Sequence, residues 1–114
     1  MTTAAAALGR SGEDRVAEWY LGQGYEVLAR NWRCRAGELD LVVARRRLVV
    51  FCEVKTRTSE RFGAPAEAVT AAKRARIRRL AARWLADAPR APRAIRFDVA
   101  SVMGGVVEVL EGAF

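Results

Sequence analysis

Two apolar runs near the middle of the chain, ELDLVVA (38–44) and LVVFCEVKT (48–56), carry Glu38, Asp40, Glu53 and Lys55 where central β-strands usually carry hydrophobic side chains. If the runs form a hairpin turning between Arg46 and Arg47, Asp40 faces Glu53 directly, with Cβ atoms about 4.5–5.5 Å apart on the same face. The period of two adds Glu38 beside Asp40 and Lys55 beside Glu53. A one-residue shift of the turn would break this pairing. Two carboxylates at such a distance repel unless a proton or a cation lies between them. A hard divalent ion, Mg2+ or Mn2+, takes oxygen ligands and keeps waters on its open positions, so the pattern suits phosphodiester hydrolysis, with Lys55 placed to position the water or stabilise developing charge. A salt-bridged network in which Lys55 neutralises Glu53 accounts for the same residues without chemistry.

Other chemistries are excluded by composition. There is no histidine in 114 residues, which removes Ser-His-Asp hydrolysis, HExxH zinc sites and every imidazole base. Cys34 and Cys52 are too few for a disulfide framework or a four-ligand zinc site and read as free thiols. No run approaches the roughly 20 apolar residues of a membrane span, and the N-terminus lacks the basic and apolar regions of a leader, so a soluble cytoplasmic protein is expected.

The formal charge is +7, carried by 18 Arg and 2 Lys against 13 acids. Residues 66–93 hold eight bases and two acids, so most of the excess sits in one segment. A nucleic acid, DNA in particular, is the natural partner for such a surface.

The elements that must position these groups follow from periodicity. Residues 1–10 read as a disordered tail and 11–114 as one domain. Ser11 is a candidate N-cap for a helix that Gly22 and Gly24 stop. Residues 25–30 alternate as a strand, NWRCRAG (31–37) reads as an irregular loop, and the two charged runs form a hairpin. A long helix covers 66–88, ended by Pro89 and Pro92, and 95–102 with 106–110 form a second hairpin around Gly104 and Gly105. The order is αβββαββ. On helical wheels Glu13 points with the apolar stripe of the first helix, and Lys73 lies amid Val69, Ile77, Leu80 and Trp84 on the buried face of the second. Lys73 either enters the charged site or snorkels to water. Arg74 and Arg78 lie opposite that face, with Arg76, Arg79 and Arg83 along one edge.

With these residues in hand, the sequence resembles the YraN-like family of small bacterial proteins, which are similar to the PD-(D/E)xK, restriction-endonuclease-like nucleases and to archaeal Holliday-junction resolvases. The stretches that carry the resemblance are GEDRVAEWYLGQGYEVLARNWR, GELDLVV, LVVFCEVKTR, FGAPAEAV with the following Lys73, and RFDVASV, together most of residues 12–102. The resemblance implies an α/β fold with a mixed central sheet flanked by helices. It implies that Asp40, Glu53 and Lys55 stand at the motif's Asp and Glu-x-Lys positions and that Glu13 is the helix-one acid assisting the metal. Leu39 replaces the motif's Pro, and Glu38 is an additional acid.

Two functional expectations follow. One is a Mg2+- or Mn2+-dependent endonuclease in which Asp40, Glu53 and Glu13 hold the metal and Lys55 assists the water, acting on DNA such as branched junctions. The other is a nucleic-acid-binding module or accessory subunit that does not cleave. In either, Arg57, Lys73, Arg74, Arg76, Arg79 and Arg83 are candidate phosphate contacts, and a homodimer would let so small a protein address two strands. Trp32 is a candidate for stacking on a base, with ordinary packing as its alternative, and Trp19 for an interface.

Overall fold

A computed structural model describes residues 4–57, 69–89 and 91–114, with side chains from Ser11 onward. The elements are α1 (Ala4–Gly22), β1 (Glu26–Cys34), β2 (Gly37–Arg45), β3 (Leu48–Arg57), α2 (Ala71–Ala86), β4 (Ala94–Met103) and β5 (Val106–Leu110), giving the expected αβββαββ order. The strands form one mixed sheet, β1-β2-β3-β4-β5, antiparallel except for the central β3–β4 pair. That parallel pair requires a crossover, and α2 supplies it. No helix among the described residues is long and apolar enough to cross a membrane.

Each face of the sheet carries one helix. Val16, Ala17 and Tyr20 of α1 bury against Leu41, Val43, Val50, Cys52, Ala100 and Val102, while Ile77, Leu80 and Ala81 of α2 bury against Val42, Val49, Phe51, Phe97 and Val99. The alternation along β2, β3 and β4 thus sends successive side chains to different helices, which is why these strands read as continuous apolar runs. Gly12 brings α1 closest to the sheet: a Cβ there would collide with Thr56 Oγ1 of β3.

Three boundaries differ from the sequence reading. Helix α1 extends back to Ala4, so residues 4–10 of the expected tail are helical and Ser11 is not its cap; alanine needs no capping signal to propagate a helix. The NWRCRAG segment is mostly strand, with Asn31 to Cys34 belonging to β1 and only Arg35 and Ala36 turning into β2. The β1–β2 register shifts between Val27 and Ala29 and Asn31 has φ 51°, which hides the period of two. Helix α2 begins at Ala71, where the Thr70 side chain accepts a hydrogen bond from the Lys73 backbone N–H, rather than at residue 66. Of the FGAPAEAV stretch quoted for the resemblance, only Val69 falls within the described residues; 62–68 lie outside them.

Candidate active site

The β2–β3 register is the one that the two-residue turn at Arg46-Arg47 predicts: Arg45 faces Leu48 and Leu41 faces Cys52. Pairing stops there, at the step where Asp40 would face Glu53. Instead of continuing the ladder, the Asp40 carboxylate accepts the backbone N–H of Val54 at 2.9 Å. The strands therefore fork at the charged pair, and the opening admits side chains from both helices.

Asp40 and Glu53 bring their carboxyl groups together at the fork, close enough for the Glu53 charge to act on Asp40. Burial, reinforced by the Glu53 charge, pushes Asp40 up to about 7; the Val54 N–H works in the opposite direction, and the charge of Glu13 adds to the rise. Half-buried Asp40 thus keeps its proton toward neutral pH beside the buried Glu53. Glu53 also receives both lysines, Lys73 Nζ at 2.7 Å from Oε1 and Lys55 Nζ at 3.4 Å from the same oxygen. Of the two expectations for Lys73, entry into the site is the one observed: it sits mid-face on α2 and is tied to Glu53.

The two amines are unequal. Burial, then the neighbouring Lys73, lowers the Lys55 pKa, whereas for Lys73 the opposing burial is outweighed by hydrogen bonds to Glu53 and to Lys55, and its pKa rises. Lys55 is the amine that gives up its proton first, with Lys73 as the fixed cation beside it.

Glu13 reaches the same end of the sheet from α1. It is half-buried, hydrogen-bonded to Asn31, and raised in pKa by burial against the lowering of that bond and of Arg30. Glu38, expected beside Asp40, is drawn to Arg33 of β1 at 3.0 Å. Among the described residues no three acidic or cysteine side chains lie close enough to hold a metal ion by themselves. The donor set nevertheless suits a hard divalent cation: two carboxylates meet where the backbone ladder has ended, one retaining a proton for want of another cation, with Glu13 within electrostatic reach.

The expected phosphate contacts divide into three groups. Arg76, Arg79 and Arg83 are exposed along α2. Arg74 serves packing, donating to the Val69 carbonyl, as does Arg78, outside the expected set, which lies 4.7 Å over the Phe97 ring. Arg57 is half-buried at the end of β3. Trp32 stands in β1 rather than in a loop and packs on the α2-side core, and Trp19 meets Tyr20 edge-on.

Sequence reasoning missed Asn31, the Val54 N–H and a second acid cluster. On the α1 face Asp98, fully buried, accepts from Tyr20 Oη at 2.6 Å, from Arg96 Nε and Nη2 at 2.8 and 2.9 Å, and from Gly112 N at 3.0 Å. The signal was available in Arg96 and Asp98, two residues apart and so on one face of a strand.

Residues 12–102 match the uncharacterised protein family UPF0102. The chain belongs to that family. A UPF0102 protein of Frankia casuarinae is 58% identical over 95% of this chain and 96% of its own length, and one of Frankia alni is 57% identical over 95% and 94%. A more distant UPF0102 protein, from Mycolicibacterium vanbaalenii, is 52% identical over 91% of this chain and 86% of its own. The matched span takes in every residue of the UPF0102 site described above, from Glu13 to Lys73, and the Arg96–Asp98 cluster as well.

Proposed function

We propose that this UPF0102 protein is a divalent-metal-dependent endonuclease of the PD-(D/E)xK type, acting on DNA. The observation that carries the reading is the Asp40–Glu53 pair at the strand fork, where Asp40 accepts the Val54 N–H and the Lys55 and Lys73 amines reach Glu53 Oε1. Asp40 and Glu53 would hold Mg2+ or Mn2+, with Glu13 supporting the metal or its water. A cation bound there supplies a water of lowered pKa and polarises a phosphoryl oxygen. Lys73 fixes Glu53 through its 2.7 Å contact and depresses the proton affinity of Lys55. Lys55, readier to lose its proton, orients the attacking water and can accept a proton from it. The exposed Arg76, Arg79 and Arg83 offer the phosphate backbone sequence-independent contacts.

Purified protein incubated with branched, single-stranded and duplex DNA in Mg2+ or Mn2+ tests the reading. Cleavage should fall by roughly 10²–10³-fold in Asp40→Ala and in Lys55→Ala; cleavage unchanged in both would reject it. A non-cleaving nucleic-acid-binding module is favoured by one observation, the Lys73 ammonium already seated on Glu53 Oε1, where it neutralises the charge a metal would. Calorimetric titration with Mn2+ separates the two. Binding lost in Asp40→Ala supports the nuclease, and DNA binding without a metal site supports the module.

A further inference from the structure

At the end of the β2–β3 hairpin remote from the fork, the Arg46-Arg47 turn meets the start of β4. Arg93 and Ala94 donate backbone N–H groups to the Arg47 carbonyl at 2.9 and 3.3 Å, which locks the two segments together. Arg45, Arg46, Arg47 and Arg93 line one open depression of about 940 Å³ there. Arg45 is committed, donating to the Gln23 carbonyl at 2.8 Å and lying over the Tyr25 ring. The other three are exposed, and among the described residues no partner takes their guanidinium groups. Like charges so gathered repel, and an anion relieves them.

The turn adds an independent observation. Arg46 has φ 57°, in the left-handed region that hairpin turns normally give to Asn or Gly. Arginine there carries a backbone cost that its side chain does not recover within the fold.

We propose that the Arg46-Arg47-Arg93 depression is a second phosphate-backbone contact for nucleic acid, separate from the carboxylate site. Planar guanidinium forks match phosphate oxygens, and three unpartnered ones in a shallow open depression suit a repeating phosphate chain. From Arg45 to Asp40 the strand rises roughly 17 Å at about 3.4 Å per residue, near half a helical turn of B-form duplex. The inference rests on the nucleic-acid part of the proposed function and not on cleavage.

Anisotropy of a labelled 30-base-pair duplex, titrated in EDTA at several NaCl concentrations, tests it. Relative to the unaltered protein, the triple variant Arg46→Ala, Arg47→Ala, Arg93→Ala should lower the slope of log affinity against log salt by roughly 3, and Arg46→Gly by about 1. Arg46→Gly keeps the φ the turn needs, so its Tm should hold or rise, and it decides the matter if the triple variant misfolds. Unchanged slopes in a folded variant overturn the second contact alone. Lowered slopes without any Mn2+-supported cleavage leave it standing and remove the nuclease. No duplex binding by the unaltered protein, or arginine-dependent binding only to phosphatidylserine vesicles, overturns it together with the nucleic-acid reading.

Discussion

Two acids of one sheet, Asp98 buried and Asp40 half-buried, meet opposite fates. Asp98 faces α1 and is saturated: a two-pronged arginine, a tyrosine hydroxyl and a backbone N–H occupy its oxygens. Asp40, at the fork, has one backbone N–H and otherwise a second carboxylate. Through these fixed donors Asp98 ties α1, β4 and the C-terminal segment together. Asp40 is left short of positive charge and makes up the deficit with a proton. Burial alone does not mark an acid as functional; incomplete compensation does.

The contrast can be broken from either side. The largest expected effect is at the saturated acid: Asp98→Asn leaves Arg96 with only the exposed Glu111 at 3.8 Å as a counter-charge and should cost about 3–5 kcal/mol in urea unfolding, with no specific effect on metal binding. Next comes the pH response of the unsaturated one. The folded chain keeps on Asp40, up to about 7, a proton that the unfolded chain sheds near the ordinary aspartate value of about 3.9. That contribution is complete below the lower value, declines as pH rises through the window, and is gone above the upper one, a slope of up to about −1.4 kcal/mol per pH unit. Unfolding in metal-free buffer between pH 5 and 8 should show the decline and Asp40→Asn should flatten it; a slope that survives the substitution assigns the proton elsewhere. The smallest effect sharpens the comparison, since Tyr20→Phe removes a single donor from Asp98 and should cost about 1.5–3 kcal/mol by the same denaturation.

The strand core was legible because its apolar runs and the tight Arg46-Arg47 turn leave one register that pairs them well; the expected Asp40–Glu53 pairing is the step at which that ladder ends. Lys73 was legible as inward-facing from the wheel alone, but its attachment to Glu53 belongs to the packing of α2 on the sheet, which no local pattern encodes. Glu38 misled because alternation breaks at Asp40: Leu39 joins the α2-side core and Leu41 the α1-side core though they are two residues apart, and Glu38 goes to Arg33 of the adjacent strand. The Asp98 cluster was missed because an acid in an alternating strand looks like an ordinary solvated position until Tyr20, more than seventy residues away in sequence, is seen to reach it.

The crossover through α2 has a consequence for how the molecule matures. Strands β1 to β3 can zip through neighbouring hairpins, whereas the parallel seam between β3 and β4 waits for a long excursion to close, the slower event for entropic reasons. Lys73 travels on that excursion. A nascent or nicked chain therefore holds the acids before it holds the Lys73 amine, and the ion-paired cluster is complete only with completed folding.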